Sequence, residues 1–282
     1  MEARIDNFGE IAHDMRTLCP TARETGTVCG EGVGNFITKI ILIILGGYQD
    51  FSYFCTRKLN DGSMFRLKRF VIEQDLCAMK VGMDGVMLGA WAQGGRRILD
   101  IGTGTGLIAL MMAQRNLDSL VTAIDIDEGA VRQAKKNVEN SYFRHQIIVK
   151  HEAVQQHHGC YDAIVCNPPY FSDSLKAPDA QRNMARHTDT LSYAELMQAA
   201  YRLLDDEGEF SVVVPFDYKQ RMEDEATFVG FFQHRVLGLR TVAGKPAKRY
   251  FLSFRKHPVE RLHTIITLGD DEYKALTKDF YL

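Results

Sequence analysis

None of the six cysteines (Cys19, Cys29, Cys55, Cys77, Cys160 and Cys166) belongs to a C-x-x-C pair or has a histidine at zinc-finger spacing. A zinc finger or a disulfide framework is therefore not expected, and the thiols read as reduced, as in a cytoplasmic protein. Long apolar runs are missing as well. The longest uninterrupted aliphatic stretch is Ile40 to Leu45, against about 20 residues for a membrane span. The opening residues, MEARIDNFGEIAHD, have mixed charge and no apolar centre, so neither a secretory signal nor a membrane partner is expected. No charge sign dominates either. A net charge of −2 excludes a molecule whose whole surface grips nucleic acid and leaves room only for a local basic patch. Adjacent His157 and His158, with no cysteine or carboxylate at ligand spacing, are expected to face solvent, and no metal is expected.

What is present is enough chain, 282 residues, for one α/β domain with a sizeable core, or for one domain and an appendage. The character changes near residue 64. Residues 1–63 show neither helical period nor strand alternation, and their apolar island is flanked by glycine pairs. They are expected to be a poorly ordered or non-native N-terminal extension, with Met64 a candidate start; a docking or membrane-surface segment is the weaker alternative.

From Met64 the pattern alternates between β and α. Asp84 is placed to cap a short helix through Trp91. RRILDIGTG reads as a buried strand entering a glycine-rich turn, LIALMMAQR as a helix, SLVTAIDID as a second strand, and EGAVRQAKKNVENS as a helix with Val131, Ala134 and Val138 on one face. QIIVK, DAIVC and GEFSVVVP follow as strands, with LSYAELMQAAYRLL an amphipathic helix before the last of them. FFQHRVLGLRTV and RYFLSFRK form a final pair of strands, read as a hairpin joined by AGKPAK. Such repeats argue for a parallel sheet with helices on both faces.

The turn Asp100-Ile101-Gly102-Thr103-Gly104-Thr105-Gly106 stands between a strand and a helix, where glycines let the backbone approach a ligand. Its G-x-G-x-G spacing is neither a dinucleotide fingerprint nor a P-loop. Asp125 ends the second strand about twenty residues on, where a carboxylate can accept both ribose hydroxyls. The pair fits an adenosine-containing ligand. Asp100 adds negative charge beside the turn, which disfavours phosphate and suits the ammonium or sulfonium of S-adenosylmethionine. LDIGTGTG resembles the first motif of the class I methyltransferases. That resemblance implies a Rossmann-like seven-stranded sheet with helices on both faces and the last strand antiparallel.

Asn167-Pro168-Pro169-Tyr170 closes the fourth strand at the carboxyl edge of the sheet. The Asn167 amide can accept one hydrogen bond from an exocyclic amino group and the Pro168 carbonyl a second, while Pro169 stiffens the loop and Tyr170 offers a ring for a planar base. N-P-P-Y resembles the signature of amino-methylating enzymes acting on adenine N6, guanine N2 or a glutamine amide.

AMKVGMDGVMLGAW, residues 78–91, resembles a block of the bacterial tRNA(Val) (adenine-N6)-methyltransferase family, which modifies the adenine beside the anticodon. The resemblance spans roughly residues 64–256 and implies cofactor-covering roles for Lys80 and Asp84, which match the block together with Gly82 and Gly85. It also covers ARHTDTLSYAEL, where Arg186 and His187 are candidates to meet RNA backbone. Glu152, ending the third strand, is a candidate for the cofactor adenine, with Ala153 the alternative. Residues 234–263 carry eight Lys or Arg against one acid, Glu260. Lys245, Lys248 and Arg249 near Tyr250 are candidate RNA contacts; a solvated edge strand is the alternative. The expectation is a monomeric tRNA adenine-N6 methyltransferase using S-adenosylmethionine. A protein-glutamine N5-methyltransferase and a non-catalytic RNA-binding protein of the same fold are the alternatives.

Overall fold

The computed structural model describes residues 64–77, 79–169 and 191–281. Its strands are β1 (Met64–Arg66), β2 (Val71–Glu73), β3 (Arg97–Ile101), β4 (Leu120–Asp125), β5 (Ile147–His151), β6 (Tyr161–Cys166), β7 (Leu204–Pro215), β8 (Phe232–Arg240), β9 (Arg249–Arg255) and β10 (Leu262–Thr267). Its helices are α1 (Met83–Trp91), α2 (Leu107–Arg115), α3 (Glu128–Glu139), α4 (Tyr193–Leu203), α5 (Phe216–Phe228) and α6 (Asp271–Thr277).

Successive side chains on a strand point to opposite faces, and β3 shows the consequence. Ile98 joins a core with α1 and α2, whereas Leu99 and Ile101 join a second core with α4 and α5. Both faces are thus buried, as continuous apolar runs such as VVV in β7 require. Each fully buried Leu, Ile or Phe contributes roughly 1.5–3 kcal/mol. On α3, Val131, Ala134 and Val138 all turn inward, as their spacing predicts. The α4 terminus is set by a reciprocal capping box between Ser192 and Glu195.

The strand order is β10-β8-β9-β7-β6-β3-β4-β5. Among the described strands of this eight-stranded sheet, only β9 runs antiparallel to its neighbours, paired with β7 on one side and β8 on the other. The expected seven-stranded arrangement is therefore present and is extended by an eighth strand, β10, lying parallel to β8. That strand, α5, α6 and the β1–β2 hairpin lack long periodic runs in the sequence and acquire their form by packing. The end of the sheet opposite the site is held by Glu209, fully buried on β7. Burial alone would raise its carboxyl, but hydrogen bonds and charge from Arg235 and His234 hold it below the usual range, with Arg255 also paired to it.

Candidate active site

Strands β3 to β7 are parallel, so their C-terminal ends share one edge of the sheet. Across it stand Glu152 after β5, Asp125 at the end of β4, the glycine turn after β3, Asn167 after β6 and Phe216 after β7. Register places Ile101 beside Cys166. The next residues, Gly102 and Asn167, therefore leave the sheet side by side.

The glycine turn is built by its backbone. Gly102, Gly104 and Gly106 have φ of 69°, 56° and 81°, a region that side chains disfavour. The Gly102 and Thr103 N–H groups donate to the Ile124 carbonyl at 2.9 and 3.0 Å, folding the turn over β4. A Cβ on Gly102 would meet nothing within 4 Å among the described residues, so none of them fills the space above it. At Gly106 a Cβ would press on Ala134 at 3.4 Å, which is how closely α3 approaches.

Asp125 holds the turn as well as facing the edge. Its Oδ2 accepts the Gly104 N–H at 2.8 Å and its Oδ1 the Asp127 N–H at 2.9 Å. A carboxylate has about four lone-pair positions, so capacity remains for two hydroxyls. Asp100 is fully buried, and its Oδ2 accepts from the Thr103 hydroxyl at 2.6 Å and the Ala109 N–H at 3.1 Å. Its Oδ1 is buried with no partner among the described residues. Burial pushes this carboxyl up to about 7, with Asp125 adding to the rise and the two donors opposing it. The fixed negative charge expected at Asp100 is therefore half-titrated near neutrality. An unsatisfied buried carboxylate oxygen, an open glycine turn and a ribose-type carboxylate together fit S-adenosylmethionine, whose ammonium group would satisfy Oδ1.

A strap from β2 towards α1 crosses this edge. Asn137 on α3 accepts the Glu73 N–H and donates to the Glu73 and Thr105 carbonyls, joining strap and glycine turn. Gln133 accepts the Leu76 N–H, and the Cys77 sulfur lies 3.8 Å from where a Gly104 Cβ would stand. Gln133 and Asn137 are missed by reading α3 as a simple amphipathic helix. Their signal is two amides four residues apart beside its apolar face.

Several expected roles change. Asp84 does not cap α1: Gly82 is the cap residue, and Asp84 sits in the first turn with Oδ2 accepting from Arg249 Nε at 2.8 Å. The pair is substantially shielded, and it ties α1 to β9 beside Asn167, whose Nδ2 approaches Gly85. Lys80 is exposed on the approach to α1. His157 does not face solvent. It is 1% exposed, held between Glu152 Oε2 at 2.9 Å and the Tyr161 hydroxyl at 2.7 Å, because the turn after β5 folds it under the sheet edge; His158 is exposed. The hydrogen bond from His157 holds the Glu152 carboxyl below its usual range, so one oxygen of that candidate adenine contact is already engaged. Pro168 is buried and Pro169 exposed. Tyr170, Arg186 and His187 lie outside the described residues.

The basic cluster is sorted by its partners. Arg235 and Arg255 serve Glu209, Arg240 meets Thr267, Lys256 meets Asp206, Arg261 meets Gln233 and Arg249 meets Asp84. Lys245 and Lys248, exposed on the β8–β9 connection, have no side-chain hydrogen bond or ion pair among the described residues. Among those residues no group of three potential ligands is arranged to hold a metal, and no helix is long and apolar enough to cross a membrane.

Comparison with known proteins gives a consistent picture. The methyltransferase small domain family matches residues 86–234. The chain is 45% identical over 229 residues to a Bacteroides thetaiotaomicron protein named tRNA1(Val) (adenine(37)-N6)-methyltransferase, covering 77% of this chain and 97% of that one. A Trichodesmium erythraeum protein of the same name is 40% identical, with 78% and 98% covered. The fold is shared with a predicted O-methyltransferase from Agrobacterium tumefaciens at a TM-score of 0.56 and 17% identity, over 70% of this chain and 96% of that one.

Proposed function

The chain belongs to the tRNA1(Val) (adenine(37)-N6)-methyltransferase family, and on that premise we propose that it methylates the N6 amino group of an adenine next to the anticodon of tRNA(Val). The cofactor is S-adenosylmethionine, which supplies a methyl group carried on a sulfonium. The observation that carries this reading is Asn167 leaving the sheet beside Gly102, the open glycine of the cofactor turn. On this reading the cofactor and the amino group meet at one point on the edge.

The chemistry left to the protein is orientation and charge stabilisation. An adenine amino nitrogen has its lone pair delocalised into the ring. The Asn167 side-chain oxygen and the Pro168 carbonyl each accept one N–H and draw the nitrogen out of conjugation. As positive charge grows on the nitrogen, both acceptors bind it more strongly. No base is required beforehand, because a cationic nitrogen gives its proton readily to water. Tyr170, from outside the described residues, is proposed to stack on the ring, with Pro169 holding the loop. A paired base could not reach these groups, so the adenine must be unstacked or flipped.

On the cofactor side, Asp125 would take the ribose hydroxyls, Asp100 the ammonium and Glu152 the adenine, with Gly104, Gly106, Lys80 and Asp84 shaping the enclosure. Lys245, Lys248 and Arg249 would meet RNA phosphates together with Arg186 and His187. We assign the activity to residues 64–282, acting as a monomer in the cytoplasm.

The test is incubation of the full chain with labelled S-adenosylmethionine and total tRNA, with total protein in parallel, followed by digestion of the products. N6-methyladenosine in tRNA is the expected result. Label on protein glutamine, or cofactor binding with no label anywhere, would overturn it.

A further inference from the structure

We propose that the cleft between the β8–β9 connection and the start of α5 is a second nucleotide subsite, in which a base flanking the target adenine stacks on Phe216 while adjoining phosphates meet Lys245 and Lys248. This rests on the proposed function and adds a residue and a subsite to it.

The cleft has a volume of about 600 Å³. Pro215, Phe216, Val242 and Pro246 give it apolar walls, Lys245 and Lys248 give it charge, and Asp217 is the one acid in its lining. Phe216 is 58% exposed although it has no polar atom to justify contact with water. Its backbone is fixed, since its N–H donates to the Lys248 carbonyl at 3.1 Å, and its ring lies 6.2 Å from that of Tyr250, inclined at 41°. Lys219 sits over the Tyr250 ring at 5.4 Å. Among the described residues the result is a supported aromatic surface with an open face and, alongside it, two cations that have no side-chain partner, the combination that binds single-stranded nucleic acid. Phe228 is more exposed, but it stands at the other end of α5, away from Asn167.

Placement identifies the occupant. Strand β7 neighbours β6, with Cys166 opposite Val212, so Phe216 lies roughly 11 Å from Asn167 by strand rise and spacing. The Asp84–Arg249 pair bridges that interval, with Arg249 also lining the cleft. The separation exceeds one stacking step of about 3.4 Å, as flipping the adenine requires. Flipping deprives the neighbouring base of its stacking partner. Phe216 replaces that lost face at the point where the strand continues.

The experiment uses the full chain and anticodon stem-loop RNAs carrying 2-aminopurine immediately 5′ or 3′ of the target adenine. The wild type is expected to quench one of the two on binding. Phe216→Ala should lose that quenching and raise KM for RNA by about tenfold or more, while S-adenosylmethionine affinity stays unchanged. Phe216→Tyr should restore both. Phe216→Leu keeps apolar bulk without an aromatic face, so rescue by Leu equal to that by Tyr would reduce the residue to packing and overturn the subsite. Wild-type methylation with quenching at neither flank, or Phe216→Ala matching the wild type in quenching and KM, would overturn it alone. Absence of adenine methylation by the wild type would overturn the proposed function, and this inference with it.

Discussion

The edge of the sheet that carries the site divides at β3. On the β4–β5 side the functional groups are acidic and already engaged: Asp125 accepts two backbone N–H groups, and Glu152 is held by His157. On the β6–β9 side stand an amide, an exposed phenylalanine and two lysines with no side-chain partner among the described residues. On the proposed function, the first side holds one small molecule of fixed shape and the second meets a polymer that arrives, bends and leaves. A cofactor common to every turnover favours rigidity, because each ordered group lowers the entropy lost on binding. An RNA strand is recognised instead through charge and stacking, which tolerate movement.

Mutations on the two sides should separate chemistry, cofactor affinity and RNA affinity. The largest effect is expected at the boundary: Asn167→Ala should lower kcat by about 10²–10³-fold while calorimetric S-adenosylmethionine affinity is retained. Wild-type turnover by this variant would remove Asn167 from the mechanism. Asp125→Ala should weaken cofactor binding by about 10–100-fold and leave RNA affinity in place, which filter binding can check.

Asp100 sharpens the comparison through pH. Its folded carboxyl is raised to about 7, above its unfolded value, so the folded state retains a proton that the unfolded chain has lost. The contribution to cofactor-free stability is therefore favourable at low pH and falls as pH rises towards about 7, by up to about 4 kcal/mol in the limit. Asp100→Asn should flatten that dependence in thermal denaturation while weakening S-adenosylmethionine binding. Cofactor binding should release a proton near neutrality, visible as calorimetric heats that depend on buffer ionisation, and the variant should lose this.

Smaller effects are expected from the lysines. Replacing Lys245 and Lys248 together by Ala should raise KM for tRNA several-fold and lower the salt slope of RNA binding by about 2, with no change in cofactor affinity. Smallest of all is the expected effect of removing residues 1–63: a chain beginning at Met64 should match the full chain in kcat and KM. A truncated chain that binds S-adenosylmethionine but not tRNA would extend the RNA-binding side beyond the described residues.

The same division governs what could be read beforehand. The glycine turn, Asp125 and Asn167 are local punctuation on strongly apolar strands, so strand ends and their chemistry can be located from short segments. The basic side cannot be read that way. Eight cations between residues 234 and 263 look alike in sequence, yet Arg235 and Arg255 close on Glu209, and Arg249 closes on Asp84, 165 positions away. His157 is hidden in the same manner, since its partners Glu152 and Tyr161 are near in sequence but only the turn between β5 and β6 buries them together. Strand β10 is not legible in the sequence because LHTIIT is short and mostly exposed, and its pairing with β8 is what makes it a strand.

Sequence by itself determined the doubly wound core, the cofactor turn and the amide at the end of β6, because periodicity, glycine conformation and proline act over a few residues. Only the tertiary structure decided which charges are consumed inside the protein, that Asp100 is buried with an unsatisfied oxygen, and that Phe216 stands beside Lys245 and Lys248. Burial and ion pairing are properties of distant segments brought together, and a charge is free for a ligand only when no segment of its own chain has reached it.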